Sequence, residues 1–498
     1  MRAFLVLLTL SLVAIAASTA SAATIYVPDD YPTIQQAVDA ANAGDTIIVR
    51  DGVYAENVDV GKRLTIRSEN GSANCIVQAA NSNDHVFYVT AYWDWVNISG
   101  FTITGASGSH KAGIFINAGY GSITGNNISG NEYGIYLLYY SSNSQIKDNK
   151  ISGNEYGIYL YYSDNNQITN NEISNNGYGI CIYYYSDNNQ ITNNSISNNG
   201  DGIDLYESTN NQITNNEIFG NHKGIVFSYS DNNQITNNEI SGNCFGITLI
   251  YSTNNQITNN EIFGNDYGIA PWPGSTNNQI TNNEISENGI GITLWISTNN
   301  QIYLNNFVNN SQNVYSEDST NIWNSTQPIT YYYNSQQFTN YLGNYWSDYA
   351  GSDADGDGIG DTPYTIDSQN KDYHPLISPK DNYRKQCLGD CYADNGCGNL
   401  IQASVNCSYC INILHGFWKP HKTAECFDES EPLDLCLAFC PQCCNGVDDD
   451  FDGLTDYPAD EQCTCGLDPS EETPLPPIPE MLTLALVSIG LAIALRRV

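Results

Sequence analysis

A repeat of 22 or 23 residues fills the middle of this 498-residue chain and constrains its fold more than any other feature. The dipeptide Gln-Ile marks the repeat at Gln145, Gln167, Gln190, Gln212, Gln234, Gln256, Gln279 and Gln301. A glycine keeps the same spacing from Gly134 to Gly291, and an asparagine stands three residues before each of these glycines. A unit this short cannot bury its own apolar side, so such units must stack on their neighbours. The repeat therefore predicts a solenoid.

Within each repeat, apolar side chains alternate with polar ones, which is the period of a β-strand. Ile158 and Leu160 share one face of such a segment. The Gln-Ile-Thr and Glu-Ile-Ser pieces add two more inward isoleucines per unit, such as Ile168 and Ile173. Each unit is therefore predicted to form about three short strands, joined by Asn/Gly turns and paired with the next coil. The predicted fold is an all-β, single-stranded parallel β-helix with a dry Ile/Leu core.

The asparagines suit the corners of such a coil, because Asn tolerates left-handed backbone and hydrogen-bonds to nearby backbone groups. Identical side chains stacked at roughly 4.8 Å can also join their amides into ladders. We therefore interpret the asparagine columns as structural rather than catalytic.

A short helix and a strand are predicted before the repeats. The segment from Tyr31 to Asn42 has helical spacing in Ile34, Ala37 and Val38, and Ile47 to Val49 is typical of a strand. These elements would cover one end of the solenoid, which would otherwise expose an unpaired edge.

The segments flanking this helix and the Asn-rich repeats together resemble two related groups of β-helix proteins. Ile25–Pro28, Tyr31–Gln35, Gly44–Ile47 and Asp51–Tyr54 resemble the N-terminal cap of pectin-lyase-like proteins. The repeats, with Gly343–Tyr349, resemble the NosD-type family of archaeal and bacterial surface or periplasmic proteins. The resemblance extends from Ile25 to Leu376 and implies a right-handed parallel β-helix. It implies little about activity, because many functions share this scaffold.

The NosD resemblance also raises copper binding, which the residues do not support. Methionine occurs only at Met1 and Met481, and the six histidines are scattered, so no cluster of soft ligands is predicted.

Both ends of the chain carry predicted targeting signals. Residues 1–22 combine Arg2, an apolar run and small residues up to Ala22, which predicts a secretory signal peptide. An apolar run from Met481 to Leu495 follows a Pro-rich acidic linker and precedes two arginines, which predicts a membrane-anchoring tail. This tail resembles the PEF-CTERM sorting signals of archaeal surface proteins, although Met481 replaces the phenylalanine of that motif.

Two acidic segments match a calcium loop of the EF-hand type, with aspartates at alternate positions and a glycine at the sixth. The predicted ligands of the first loop are Asp353, Asp355, Asp357, the carbonyl of Ile359, and Asp361. Those of the second are Asp448, Asp450, Asp452, the carbonyl of Leu454, and Asp456. Neither loop has the usual bidentate Glu at its twelfth position, so another ligand is required. The loops resemble those of dockerin and thrombospondin type 3 repeats, which implies a structural role; the alternative is a solvated acidic turn.

Cysteines are concentrated near the C-terminus. Of the 15 in the chain, 12 lie between Cys387 and Cys465, an even number that predicts a disulfide-stapled module in an exported protein. Zinc is the alternative, held by Cys407, Cys410, Cys440 and Cys443 with His415 or His421. Cys75, Cys181 and Cys244 lie in the repeats and are predicted to be unpaired.

The charge balance and the residue pattern restrict the function. Seventeen basic residues against 54 acidic ones give a formal net charge of -37, so the basic face that a nucleic-acid partner requires is missing. Glycoside hydrolysis needs paired carboxylates, and lyases need a basic residue beside acids, but no such motif is recognisable. We therefore name no catalytic residue, and keep a polysaccharide lyase, hydrolase or epimerase acting on acidic glycans as an alternative.

Outward aromatic residues provide better material for binding. They are Tyr159, Tyr161, Tyr183, Tyr206 and Trp295, with Trp272 near the same column. Stacked in consecutive coils, they would form an aromatic stripe suited to sugar rings. Alternatively, the tyrosines simply cover the sheet, because Val226 and Thr248 interrupt the stripe.

The predicted domains are a signal peptide (1–22), a β-helix with N-terminal cap (23–324), a C-terminal cap with the first calcium loop (325–380), a Cys-rich calcium module (381–465), a linker (466–480) and a membrane or sorting tail (481–498). The predicted function is structural, adhesive or carbohydrate-binding at the cell surface. A NosD-like, copper-related periplasmic role remains a further alternative.

Overall fold

The computed structural model describes residues 22–91, 94–117 and 119–383, and the backbone of 391–394 and 400–403. The predicted signal peptide, nearly all of the Cys-rich module, the second calcium loop, the linker and the tail lie outside the described residues. Contacts divide the chain into one unit ending at Arg384 and another beginning at Lys385. In the second unit, strands Cys391–Asp394 and Leu400–Ala403 form an antiparallel pair.

Three long parallel sheets make up the described part of the first unit, and each strand pairs with its counterpart in the next coil. Sheet 1 contains Thr24–Val27, Thr46–Val49, Leu64–Ser68, Trp95–Ser99, Tyr120–Thr124, Gln145–Lys147, Gln167–Thr169, Gln190–Thr192, Gln212–Thr214, Gln234–Thr236, Gln256–Thr258, Gln279–Thr281, Thr298–Tyr303 and Thr320–Ile322. Sheet 2 contains Gly52–Ala55, Cys75–Gln78, Thr102–Thr104, Asn127–Ser129, Lys150–Ser152, Glu172–Ser174, Ser195–Ser197, Glu217–Phe219, Glu239–Ser241, Glu261–Phe263, Glu284–Ser286, Asn306–Val308 and Tyr345–Trp346. Sheet 3 contains Val58–Val60, Phe87–Val89, Ala112–Asn117, Tyr133–Leu138, Tyr156–Tyr161, Tyr178–Tyr183, Asp201–Tyr206, Lys223–Ser228, Phe245–Ile250, Tyr267–Pro271, Ile290–Trp295 and Gln312–Glu317. The predicted right-handed parallel β-helix is confirmed.

Columns of isoleucine form the core. Ile168 of sheet 1 pairs with Ile191 of the next coil, and both are fully buried, as is Ile173 of sheet 2. Sheet 3 contributes two inward residues per coil, for example Ile158 and Leu160. Burying each such side chain contributes about 1.5–3 kcal/mol, so stacking stabilises what a single coil cannot.

Three asparagine ladders run along the corners between the sheets. In the first, the side-chain amide of Asn171 donates to the side-chain oxygen of Asn194 (3.0 Å). The amide of Asn194 donates in the same way to Asn216 in the next coil (3.0 Å). The backbone N–H of Asn171 donates to the same Asn194 oxygen (2.9 Å), and the Asn171 amide also reaches the carbonyl of Ile146 (2.9 Å). The asparagine columns are therefore structural, as predicted, and each step from one asparagine to the next donates toward the C-terminal end of the solenoid.

Each ladder ends on a carboxylate. The first passes through Asn344, whose backbone N–H donates to Asp372 (2.7 Å). The second ends with Asn313 donating to Asp348 (2.9 Å), and the third with Asn370 donating to Asp367 (2.9 Å). An anion is the natural end for a row of aligned N–H donors, for the same reason that anions favour helix N-termini.

The N-terminal end of the solenoid is covered by the helix Ile34–Ala40, close to its predicted position. The Thr33 hydroxyl caps it by accepting from the N–H of Gln36 (3.1 Å), and Ile34, Ala37 and Val38 are buried.

The C-terminal end is closed by aromatic stacking. Trp346 lies between Phe307 (centroids 4.3 Å apart) and Tyr364 (4.2 Å), with ring planes within 10° of parallel. Beyond them lie two antiparallel hairpins and a short 3₁₀ turn: Ile329–Tyr333 with Gln336–Asn340, Tyr364–Thr365 with Lys371–Asp372, and Lys380–Asn382. Within the described part of the chain, Cys75, Cys181 and Cys244 form no disulfide with one another. Among the residues described, no helix is both long and apolar enough to cross a bilayer.

Candidate functional site: the aromatic face of sheet 3

The outward surface of sheet 3 carries most of the predicted binding residues, arranged differently from the prediction. Tyr161, Tyr183 and Tyr206 pair with one another in consecutive coils and form one column. Tyr159 belongs to a second column, because it lies two residues before Tyr161 on the same strand and pairs with Cys181 instead. The prediction of a single stripe was therefore wrong.

The interruptions of these columns also differ from the prediction. Val226 and Thr248 follow Tyr159, Cys181 and Asp204 in the second column. The column of Tyr206 continues instead with Ser228 and Ile250. The aromatic face thus divides into an N-terminal field of tyrosines and a separate C-terminal cleft.

Tyrosines of the N-terminal field pack mainly on one another. The ring of Tyr159 makes edge contacts with Tyr136 (5.1 Å), Tyr133 (5.3 Å) and Tyr183 (5.4 Å). Burial raises the pKa of Tyr136 to about 12 and raises that of Tyr159 further. This packing favours the alternative that Tyr159 and its neighbours cover the sheet.

A buried acid lies at the edge of this field. Asp204 points outward from sheet 3 but is only 8% exposed, and its carboxylate accepts a hydrogen bond from the Tyr183 hydroxyl. Burial raises the pKa of Asp204 to about 6, against the lowering effects of the Tyr183 hydrogen bond and of Lys223. Lys223 is paired with Asp201 (3.2 Å). Because the Asp204 carboxylate is enclosed, the cluster that it forms with Tyr183, Asp201 and Lys223 offers no open surface to a substrate.

The tryptophan cleft lies farther along the same sheet. Its volume is about 330 Å³ and it is lined by Phe245, Tyr267, Trp272, Ile290, Thr293, Trp295, Tyr315 and Glu317. Its floor includes the small residue Thr293, which is buried among the larger aromatic lining residues. Trp272 and Trp295, two of the predicted binding residues, are brought together here.

The walls of the cleft are rigidly stacked, and its rim is open. Phe245 and Tyr267 stack with ring planes 9° apart and centroids 4.8 Å apart, and Trp272 meets Phe245 edge-on at 5.4 Å. Trp295 and Tyr315 remain 43% and 40% exposed. The cleft therefore presents aromatic surface to solvent without collapse of its walls.

Two polar groups lie among these aromatic residues. The Tyr315 hydroxyl donates to the Glu317 carboxylate (2.7 Å), and this hydrogen bond and the negative charge raise the Tyr315 pKa. The Thr293 hydroxyl in the floor has no hydrogen-bond partner among the described residues. Tyr315 and Glu317 were missed from the sequence because they follow the last Gln-Ile repeat; Trp295 pairs with Glu317, which continues the register.

The first predicted calcium loop is a second candidate site. Oxygens of Asp353, Asp355 and Asp357 lie within 4.8 Å of one another, and this is the one such group of potential metal ligands among the residues described. Asp361 is placed otherwise: its carboxylate accepts from the Ser352 hydroxyl (2.9 Å) and the Ala354 N–H (3.0 Å). The second loop, from Asp448 to Asp456, lies outside the described residues.

The backbone of this loop is folded around its own carboxylates. Asp353 accepts N–H groups of Gly356 (2.8 Å) and Gly358 (2.9 Å), and Asp357 accepts that of Ile359 (2.8 Å). Gly356 adopts a φ of 78°, which a glycine allows without strain. The oxygens thus converge on one point, a donor set that suits a hard cation.

Fold and site together define a parallel β-helix with an outward aromatic cleft, and comparison with known proteins places it in a family. The family model described as "Periplasmic copper-binding protein (NosD)" matches residues 38–221 and 182–351, which is more than half of the chain. The chain belongs to the NosD family. The periplasmic character of that family supports the predicted export.

Similar solved structures include three other proteins. The mannuronan C-5 epimerase AlgE6 A-module of Azotobacter vinelandii is 15% identical to this chain. The match covers 58% of this chain and 91% of the A-module, with a TM-score of 0.45. XylC, in a complex with xylose, is 12% identical. The match covers 64% of this chain and 88% of the XylC chain, with a TM-score of 0.46. The Dettilon tailspike protein is 16% identical. The match covers 53% of this chain and 67% of the tailspike chain, with a TM-score of 0.40. No curated protein sequence gives a significant match.

The copper in the family's description does not fit the residues described. The cluster that they form consists of carboxylates, which are hard ligands, whereas copper prefers imidazole and sulfur. Copper therefore has no part in the function proposed below.

Proposed function

We propose that this protein is an exported β-helix scaffold that binds carbohydrate in the tryptophan cleft. The observation that carries the proposal is the exposure of Trp295 and Tyr315 on the rim of a preformed aromatic cleft. Exposed aromatic surface costs free energy in water, and flat rings beside polar groups suit the apolar faces and hydroxyls of sugars. Glu317 and Thr293 supply polar groups within the same cleft.

Binding without catalysis is favoured by the same lining. Hydrolysis of a glycosidic bond requires two carboxyl groups on opposite sides of the scissile bond. Among the cleft residues, Glu317 alone carries a carboxylate, and it is already held by Tyr315. The cleft is therefore suited to hold a sugar rather than to cleave one.

A glycan array followed by titration calorimetry tests this proposal. Trp295→Ala should weaken binding of the retained glycan by about 30-fold, because truncating an aromatic hot-spot contact costs about 2 kcal/mol of binding. Trp95→Ala is the matched control, since Trp95 is 40% exposed on sheet 1. Equal binding by the two variants would contradict the proposal. A product assay on the same glycans should detect no turnover.

We further propose that the loop from Asp353 to Asp361 holds calcium and stabilises the C-terminal cap. Three carboxylates held close together repel one another unless a cation balances them. Chelation should lower the melting temperature, and Asp355→Asn should remove most of that effect without disturbing hydrogen bonds of Asp353 and Asp357. Asp381→Asn, with a side chain 78% exposed, is the control. A melting temperature that is the same with and without chelator would refute the calcium site.

Attachment to the cell surface through residues 481–498, disulfides in the Cys-rich module, and its alternative zinc site remain predictions. Removal of residues 481–498 should move the protein from the membrane fraction to the soluble exported fraction. Retention in the membrane fraction would contradict the anchor.

A further inference from the structure

A row of five tyrosines, four exposed and one half-buried, follows the corner beside the aromatic face. Each lies immediately before a buried corner serine, in six consecutive coils of which the fourth carries Glu207 instead. This tyrosine ridge consists of Tyr140, Tyr162, Tyr185, Tyr229 and Tyr251. Four of the rings are among the most exposed large side chains described: Tyr140 is 73% exposed, Tyr185 62%, Tyr229 51% and Tyr251 49%.

The backbone at these positions is left-handed, which is unfavourable for tyrosine. The φ angles of the five residues run from 49° to 61°. At the other corners the left-handed position is filled mainly by asparagine or glycine, as at Asn170, Asn175, Asn188 and Gly220. A side chain with a Cβ costs roughly 1–2 kcal/mol in this conformation, and Asn costs less. Tyrosine is thus retained at the ridge against the local backbone preference, and strain of this kind accumulates at functional surfaces.

Ring geometry determines what the ridge offers. Tyr229 and Tyr251 stack with planes 9° apart and centroids 5.1 Å apart, and Tyr162 lies 5.9 Å from Tyr185. The faces of the stacked pair Tyr229 and Tyr251 are turned toward each other, which leaves their edges and phenolic hydroxyls for a ligand, whereas Tyr162 and Tyr185 are tilted by 31°. Except in the fourth coil, where Glu207 stands, the ridge therefore places one phenolic hydroxyl in each coil, at roughly the 4.8 Å spacing of paired strands.

The ridge leads into the tryptophan cleft. A Cβ on Gly274 would lie 2.4 Å from the Tyr251 ring, so Gly274 is the residue that leaves space for this ring. Gly274 is two residues from Trp272, which lines the cleft. The C-terminal end of the ridge therefore lies in the same coils that contribute Phe245 and Trp272 to the cleft.

Charge selects among polymers that could lie there. Glu207 interrupts the ridge, and Asp164, Asp187 and Asp231 lie on the same corner. Among these corner residues and the residues lining the cleft, no lysine or arginine is present to pair with an anionic polymer. The surface thus repels polyuronates and accepts hydrogen bonds from neutral hydroxyls.

We propose that an uncharged linear glycan lies along the tyrosine ridge, parallel to the solenoid axis, with one end in the tryptophan cleft. This inference rests on the carbohydrate binding proposed above. Because the contacts repeat coil by coil, affinity should rise with chain length until the glycan spans the ridge. A disaccharide would engage the cleft alone.

Calorimetry with β-linked gluco-oligosaccharides, from the disaccharide to a chain that spans the ridge, tests the proposal. The quadruple variant Tyr162→Phe, Tyr185→Phe, Tyr229→Phe and Tyr251→Phe keeps the rings and removes only hydroxyls. It should weaken binding of the long chain by about 2- to 10-fold per hydroxyl engaged, and leave the disaccharide unaffected. Tyr373→Phe, at a tyrosine 60% exposed outside the ridge, is the control and should change neither.

The outcomes separate the two proposals. Absence of any glycan binding, or binding that survives Trp295→Ala, would overturn the cleft itself. Disaccharide binding that depends on Trp295 without a gain on lengthening would overturn the ridge alone. Tighter binding of an oligouronate or of a cationic chitosan oligomer of equal length would overturn the preference for an uncharged chain.

Discussion

Replacing Asp372 tests whether the carboxylates that end the asparagine ladders stabilise the solenoid. Asp372 is completely buried and accepts hydrogen bonds from the N–H of Asn344 (2.7 Å), the indole of Trp346 (3.0 Å) and the N–H of His374 (3.0 Å). Asp372→Ala leaves these donors without their acceptor in the protein interior. Each costs about 1–3 kcal/mol when unsatisfied, so the free energy of unfolding should fall by roughly 4 kcal/mol.

The same carboxyl group makes stability depend on pH. Burial raises the pKa of Asp372 from its ordinary 3.8 to about 6, despite the hydrogen bonds that favour the charged form. Because the folded state holds the proton more tightly, the contribution of this group is most favourable below pH 3.8. It declines between pH 3.8 and about 6, by roughly 3 kcal/mol in all, and is constant above. Asp372→Asn cannot ionise and should lack this decline.

Denaturant unfolding followed by tryptophan fluorescence, at pH 4 and pH 7, measures both effects. The control is Asp381→Ala, because that side chain is 78% exposed. An Asp372→Ala loss no larger than that of the control would refute the role of the ladder ends. A difference between wild type and Asp372→Asn that is the same at both pH values would refute the pH argument.

Three further substitutions probe the scaffold. Asn194→Ala should lower the free energy of unfolding by on the order of 4 kcal/mol, because it interrupts a buried ladder. The control Asn193→Gly, at an exposed left-handed position, should change the free energy of unfolding by only a few tenths of a kcal/mol. Similar losses in the two variants would contradict the ladder's role. Thr248→Val should stabilise the protein by about 1 kcal/mol, since the buried Thr248 hydroxyl has no partner among the described residues; a destabilised variant in thermal unfolding would refute this. Tyr140→Asn should stabilise it by up to about 1 kcal/mol by relieving left-handed strain, and a lower unfolding midpoint would show that the ridge is not strained there.

The repeated part of the fold was predictable because its physics is local. A period of two within each segment placed Ile168 and Ile173 in the core, and the 22- to 23-residue period placed each residue above its counterpart. The column assignment failed at Tyr159, since its side chain shares a face with Tyr161 but not a register position.

The cleft and the ladder ends were less accessible to prediction, because they depend on segments outside the repeat. Trp295 and Trp272 were identified, but Glu317 lies beyond the last Gln-Ile unit. Asp372 meets Asn344 only after the C-terminal cap folds back over the last coil, and no periodicity encodes that return.

The direction of the ladders explains why the C-terminal cap has to be acidic. Every step donates toward the C-terminus, so three rows of N–H groups arrive together at the last coil and need acceptors there. Asp348 precedes the candidate calcium loop in the chain, and Asp367 and Asp372 follow it. A cation bound between Asp353 and Asp357 would therefore fix the loop that separates the carboxylates ending these ladders. In that arrangement, the proposed metal site stabilises the solenoid through the acceptors it positions, while sheet 3 and its ridge remain open to a ligand.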